Sequence, residues 1–300
     1  MENNFTASPL KIIEKGEKKI YSFNIEPQGN IDLTTVSSFG EEWQKFDSFS
    51  EKEIAQIGDD YFDIVSDELY AGKSVLDMGC GTGRWTKYVA RKAGFVEAMD
   101  PSDAVFSAAY LLAENKNIRI SKASVDQIPF PDNSFDLVFS LGVLHHIPDT
   151  EAAMKKCVYK VKPGGHFLVY LYYNLDNRGA VFKLIFHLSN LLRRCICRLP
   201  SLLKKLVCDI LAILIYLPFV AVTRLLRFLG LEKLSSKVPL SWYADKTFRV
   251  IRNDSLDRFG TPLEQRFSRK QISDMMTNCG LYNIVFSDKE PFWHALGQKR

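Results

Sequence analysis

Between residues 73 and 177, short apolar runs alternate with segments whose apolar residues recur every three or four positions. These are the periods of buried strands and of helices packed on one face. Ser74–Met78 is an apolar run that stops at a glycine, and it predicts a buried parallel strand. A helix is predicted over Arg84–Lys92, a strand over Phe95–Asp100 and a helix over Asp103–Asn115. Strands over Ile118–Ser121 and Phe135–Leu141, a helix over Thr150–Val161 and a strand over Gly165–Tyr172 continue the series. Strands and helices alternating at this length imply right-handed crossovers and a parallel, doubly wound α/β sheet.

Outside this stretch the rhythm changes. Residues 1–35 are mixed and polar, with apolar pieces at Lys11–Ile13 and Ile20–Ile25, and read as an arm or small hairpin. Ser50-Glu51-Lys52-Glu53 has capping-box spacing and predicts a short helix leading toward Tyr70. From residue 178 to 262 the alternation stops. Thr261-Pro262-Leu263-Glu264 then predicts a helix start with proline at the first helical position. Ser268-Arg269-Lys270-Gln271 predicts a helix that stops at Gly280, and Tyr282–Phe286 and Phe292–Leu296 predict two closing strands. The expected organisation is an arm and helix covering a site (1–72), an α/β core (73–177), a helical insertion (178–262) and a return to the core (263–300).

Composition narrows the class without choosing a chemistry. The 300 residues are 46% hydrophobic and 25% charged, a globular balance. The net charge of +4 is too mild to indicate nucleic acid, but it is unevenly spread. Arg178 to Lys233 holds ten Lys or Arg and two acids, a net +8, so the remainder carries −4. The six cysteines have no disulfide-framework spacing and no Cys/His set is spaced for zinc, so no metal is expected. Met1-Glu2-Asn3-Asn4 begins no signal peptide, which makes a cytoplasmic protein the expectation.

Chemistry enters at Asp77-Met78-Gly79-Cys80-Gly81-Thr82-Gly83, which ends the first core strand and opens the first core helix. Glycines at alternate positions let the backbone turn tightly and approach a ligand. A dinucleotide fingerprint would need glycine at 84, where Arg84 stands. Asp100, ending the second strand, can accept both hydroxyls of a ribose. Further along stand Ile128-Pro129-Phe130-Pro131-Asp132-Asn133-Ser134-Phe135-Asp136, Val143-Leu144-His145-His146-Ile147 and Val161-Lys162-Pro163-Gly164-Gly165.

In combination these motifs resemble the class I S-adenosylmethionine (SAM) methyltransferases, in particular the group that includes the ubiquinone- and menaquinone-pathway C-methyltransferases. The resemblance covers residues 73–177, and 263–300 by topology. It implies a Rossmann-like, mostly parallel seven-stranded sheet, SAM as methyl donor, S-adenosylhomocysteine as product, and no metal. It implies that Asp77, Gly79, Cys80, Gly81 and Gly83 wrap the methionine part of SAM, that Asp100 holds the ribose, and that Pro101 lies against the adenine. Ser124, followed by Val125, stands where the family often has an acid for the adenine amino group, and Leu141 would touch the methionine end. Phe39-Gly40-Glu41-Glu42-Trp43 recurs ahead of such cores, which makes Trp43 a candidate cover.

For a phenol or enol acceptor, His145 and His146 are the candidate general bases, with family scaffolding as the alternative. His294 is read as structural. Tyr172, Tyr173 and Asn174 lie just past the fifth strand, where open α/β sheets bind ligands, and are candidate substrate-binding residues. Ser140-Leu141-Gly142-Val143 replaces the Asn/Asp-Pro-Pro-Tyr of adenine methylases, and the basic block lacks stacking aromatics, so no nucleic acid is expected as partner.

The insertion is where substrate choice is expected to lie. Val181, Leu184, Ile185, Leu188, Leu192, Ile196 and Leu199 make one helical face, while Lys183, His187, Asn190, Arg194 and Arg198 line another. That is the pattern of a membrane-surface helix. Ile210–Thr223 runs 14 residues without charge and is interrupted by Pro218. That is short of the roughly 20 residues a span needs. Peripheral membrane contact through 178–230, a hydrophobic lid and a homodimer interface are the three readings. Trp242 and Tyr243, with Arg249, Arg252, Asp254, Asp257, Arg258 and Arg266, would suit a polar head group or a salt-bridged surface. The expected function is methyl transfer to oxygen or carbon of a small or lipid-like acceptor at the inner membrane face. The alternatives are a soluble methyltransferase of a secondary metabolite or sugar, and a membrane-associated SAM-binding protein without turnover.

Overall fold

The computed structural model describes residues 3–43, 50–176 and 179–300, and the chain divides into two units. The first joins residues 1–174 to 263–300, and the second is Leu175–Pro262. In chain order, the first unit begins with β1 (Lys11–Lys15), β2 (Lys18–Ser22), α1 (Leu33–Trp43) and α2 (Glu51–Tyr61). It continues with β3 (Ser74–Met78), α3 (Arg84–Ala90), β4 (Phe95–Asp100), α4 (Ala104–Leu111), β5 (Ile118–Lys122), β6 (Phe135–Leu141), α5 (Thr150–Lys160) and β7 (Val161–Tyr170). The second unit holds α6 (Ala180–Ile196), α7 (Ser201–Leu211), α8 (Leu217–Phe228), α9 (Glu232–Ser235) and α10 (Phe248–Gly260). The first unit then resumes with α11 (Arg269–Asn278), β8 (Leu281–Phe286) and β9 (His294–Lys299).

Seven strands in the order β5-β4-β3-β6-β7-β9-β8 form the expected doubly wound sheet, parallel except at β9. The hairpin of β1 and β2 extends it to nine, with β2 running parallel along β5. Both faces are covered, which explains the continuous apolar runs. Leu76, Met78, Val138, Phe167 and Val169 pack with Met154 and Cys157 of α5 and Ile272 and Met276 of α11. Val75, Val96, Leu137 and Phe139 face the other way, toward Trp85 and Val89 of α3 and Val105 and Leu112 of α4.

Several element boundaries differ from expectation, and the helices read to Lys92 and Asn115 already end at Ala90 and Leu111. The strand expected from Gly165 starts at Val161, which pairs with Phe135 across a register shift, and it stops at Tyr170. No helix opens at Thr261. That residue ends α10 instead, its hydroxyl donating to the Asp257 carbonyl at 2.7 Å, while Arg193 takes the carbonyls of Thr261 and Pro262 at 2.8 and 2.9 Å. The last strand begins at His294 rather than Phe292. The two other capping boxes form as read, at Ser50 and Ser268, although the first helix already ends at Tyr61. The side chains of Trp43, Val181 and Lys183, and the whole of Arg178, lie outside the described residues.

In the second unit, α7 and α8 form one helix from Ser201 to Phe228. A π-turn at Ala212–Tyr216 widens the backbone ahead of Pro218, whose missing N–H would otherwise break the ladder. Pro218 therefore does not interrupt the apolar run as expected. The helix α10 fastens to this rod through Arg252, which grips Asp209 with two bonds of 2.8 and 2.6 Å, and through Ser255, which donates to the Cys208 carbonyl at 2.8 Å.

In the first unit, Arg119 of β5 forks onto Glu97 of β4 at 2.9 and 2.7 Å, with Glu97 fully buried. Its guanidinium also lies 3.9 Å over the Phe5 ring, tying the N-terminal arm to the sheet. Glu97→Ala removes the carboxylate and leaves a buried cation, and a urea titration is expected to show about 3–5 kcal/mol less stability.

Candidate active site

The parallel register of β3 and β4 sets Met78 beside Met99. Past the strand end, the N–H groups of Gly79 and Cys80 both donate to the Met99 carbonyl, at 2.7 and 3.0 Å. This extension brings the Gly81 N–H to Asp100 Oδ2 at 3.0 Å. Ser102 fixes the other oxygen, its N–H and hydroxyl donating to Asp100 Oδ1 at 2.8 and 2.6 Å. Thr86, in the first turns of α3, donates to Asp77 Oδ2 at 2.5 Å. The glycines divide the work. A Cβ on Gly79 would stand 2.4 Å from Val143 and one on Gly83 2.8 Å from Leu112, whereas Gly81 faces open space.

Burial raises the carboxyl of Asp77 to about 8, with the nearby Asp100 adding to the rise. Burial also raises Asp100, and it pushes the Cys80 thiol well up. Two buried acids at one loop suit a cationic ligand, which would favour their charged forms. The residues present fit SAM, whose sulfonium and ammonium are cationic. Gly81 leaves room for a close approach, and Asp100 Oδ2 accepts one bond from Gly81 with a second lone pair to spare. The Thr82 hydroxyl is buried beside the loop without a hydrogen-bond partner. Pro101 is half-buried after β4, while Ser124 and Val125 are buried after β5, where Ser124 precedes a single 3-10 turn.

At the end of β6 stand Leu141, His145 and His146, all buried. The His145 ring stacks on Tyr172 with centroids 3.8 Å apart and lies 4.1 Å from His146. The surroundings of their Nδ1 atoms differ. The Tyr172 N–H approaches His145 Nδ1 at 3.4 Å, which leaves the proton of the neutral ring on Nε2, a buried atom with no hydrogen-bond partner. His146 Nδ1 lies 2.7 Å from the Leu263 carbonyl, which can only accept, so that nitrogen carries the proton and Nε2 is basic. Burial holds the His145 pKa well below the usual imidazole value, helped by the neighbouring His146 and Arg266.

Around the histidines lies an aromatic wall, of which the sequence did not single out Tyr61, Trp85 and Tyr170. Tyr61 of α2 sets its ring 5.0 Å from Trp85 and 5.2 Å from Tyr170, and Tyr170 stands 5.8 Å from Tyr172. Phe39 of α1 meets His146 at 4.9 Å. Arg266 lies 5.0 Å over the Tyr172 ring, pairs with Glu264 at 2.8 Å and donates to the Tyr173 carbonyl at 3.2 Å. Tyr173 bridges to Phe267, and the Asn174 N–H donates to the Phe267 carbonyl at 3.1 Å. Trp242 and Tyr243 belong to the second unit, where their rings are 5.0 Å apart and Tyr243 donates to Asp254 at 2.9 Å. His294 pairs with Asp63 at 2.7 Å and lies 2.8 Å from the Pro291 carbonyl.

The chain is similar to several known proteins. A methyltransferase-domain family model matches residues 76–169. Ubiquinone biosynthesis O-methyltransferase of Acinetobacter baumannii (strain AYE) is 27% identical over 170 residues, covering 53% of this chain and 70% of that protein. Phosphoethanolamine N-methyltransferase 2 of Caenorhabditis elegans is 37% identical over 105 residues, covering 34% of this chain and 24% of that protein. The crystal structure of human N-acetylserotonin methyltransferase in complex with SAM is similar in fold, with a TM-score of 0.50 and 13% identity, covering 87% of this chain and 56% of that one. The fold is that of the class I methyltransferases. Residues 76–169 form a methyltransferase domain similar to that of SAM-dependent methyltransferases.

The raised carboxyl has a consequence for stability. Folded Asp77 keeps a proton that the unfolded chain releases, so this contribution is full below the unfolded pKa and is lost as pH rises toward about 8. Urea titrations of the ligand-free protein are expected to show stability falling between pH 5 and 7.5 by up to about 1.4 kcal/mol per unit from this group. Asp77→Asn should flatten that slope.

Proposed function

We propose that the protein transfers the methyl group of SAM to a hydroxyl oxygen on a small, lipid-like acceptor, with His146 as general base. The observation that carries this reading is the His146 Nδ1 contact to the Leu263 carbonyl, which fixes the tautomer with Nε2 basic. Asp77, Gly79, Cys80, Gly81 and Gly83 would hold the methionine end of SAM beside Leu141. Asp100 would take the ribose, and Pro101, Ser124 and Val125 the adenine. When bound, SAM supplies a methyl group already activated on sulfonium, so the chain's task is positioning.

His146 Nε2 would take the hydroxyl proton as the acceptor oxygen receives the methyl group that bound SAM would supply from its sulfur, with S-adenosylhomocysteine as the other product. The His145 Nε2–H is a donor for an acceptor oxygen. Tyr172, Tyr173 and Asn174, with the aromatic wall, enclose the acceptor and exclude water. The name of the Acinetobacter relative, an O-methyltransferase of ubiquinone biosynthesis, supports oxygen as the acceptor atom. The apolar character of Leu175–Pro262 supports a lipid-like one.

Methyl-labelled SAM, the purified protein and a lysate of its source cells provide the test. Label is expected in the organic extract. Label in the aqueous phase would overturn the lipid-like acceptor, and bound SAM without transfer of label would overturn turnover itself. His146→Ala is expected to lower kcat by about 10²–10⁴-fold with SAM affinity retained. Asp100→Ala should weaken SAM binding by about 10–100-fold in calorimetry, the loss of charge-assisted bonds to the ribose.

A further inference from the structure

Among the described residues, 19 of the 25 large apolar side chains that are exposed lie in Leu175–Pro262. They are ordered. On the Ser201–Phe228 helix, Leu202, Leu206, Ile210, Leu214, Leu217 and Leu225 stand outward at three-, four- or eight-residue steps, one stripe along the rod. Cys208, Ala212, Tyr216 and Val220 occupy the opposite, buried face. Leu184, Leu188 and Leu191 repeat the outward pattern on α6. A helix of a water-soluble body turns its apolar face inward. Here an apolar face is turned out on two helices.

By length and composition, Ser201–Phe228 is the one helix among the described residues able to cross a membrane. Two observations forbid it. The chain before it ends β7 and the chain after it makes β9, and these strands pair directly, Val169 with Ala295 and Tyr170 with His294. A single crossing would set those partners on opposite sides of the bilayer. Moreover, the Asp209–Arg252 ion pair fastens polar α10 along the rod, and a crossing would carry that pair into hydrocarbon.

We propose that Leu175–Pro262 docks in the plane of an anionic membrane leaflet, the stripes of α6 and of the Ser201–Phe228 helix sunk into the acyl boundary and neither helix spanning. This deepens the lipid-like acceptor reading, and rests on it for its purpose. Charge selects the occupant. Arg194 of α6, Arg198 just past its end, and Lys233 and Lys237 shortly after the Ser201–Phe228 helix are exposed. A second copy would bring cations against cations, whereas anionic headgroups complement them.

The test is flotation of the full chain with vesicles of phosphatidylcholine alone and of phosphatidylcholine with a quarter phosphatidylglycerol. Flotation with the anionic vesicles is expected, and about tenfold less with the neutral ones. The triple substitution Leu206→Glu, Leu214→Glu and Leu225→Glu is expected to cut flotation at least about tenfold while SAM affinity and helical circular dichroism stay unchanged. Wild-type protein remaining unbound with both vesicles would overturn the proposal, as would a triple variant that floats like wild type. A dimer in sedimentation equilibrium that the same variant dissociates, without flotation, would assign the stripes to a second copy. Methyl transfer to an acceptor in detergent micelles is read separately: transfer without flotation overturns the dock alone, and flotation without transfer overturns the acceptor alone.

Discussion

The register between β3 and β4 is the constraint on which the cofactor end of the molecule depends. Because Met78 lies beside Met99, the first two N–H groups past the strand find the Met99 carbonyl, and the next arrives at the Asp100 carboxylate. A slip of one residue would turn Leu76 and Met78 from one core to the other and carry the loop away from its acid. The sheet holds this register because both of its faces are covered, so packing and chemistry are fixed by the same pairing.

The same economy appears at the end of β6. His145 and His146 are adjacent and buried, yet a backbone N–H approaches Nδ1 of one and a backbone carbonyl accepts from Nδ1 of the other. The opposite surroundings of the two Nδ1 atoms favour opposite tautomers, which set a donor beside an acceptor. The carbonyl belongs to Leu263, where the chain re-enters the first unit, so the return segment sets the proton inventory of a histidine more than a hundred positions earlier in the chain.

What was legible in the sequence was what the backbone dictates. The strands at Ser74–Met78, Phe95–Asp100 and Phe135–Leu141 match their apolar runs end for end, and the glycine loop and Asp100 stand together as read. What sequence could not reveal depends on distant partners. Thr86 and Ser102 secure the two acids, but a hydroxyl has no spacing signature of its own. Tyr61 reads as an ordinary helix residue until its ring meets Tyr170. Thr261 carries good capping-box spacing, yet Arg193 claims its carbonyl and α10 claims its hydroxyl. Pro218 signals a break that a π-turn absorbs.

The pairing of β7 with β9 across the insertion has a consequence for how such a chain can change. The connection between them holds the whole second unit together with α11 and β8, so β9 cannot be placed until that unit has been synthesised. The entropy of closing a loop grows only with the logarithm of its length. A loop of this size therefore costs only about 2 kcal/mol more to close than one of about ten residues. The seam between Asn174 and Leu263 is thus a place where evolution can lengthen, shorten or exchange a module, while the strand ends that gather Asp77 and Asp100 keep their register.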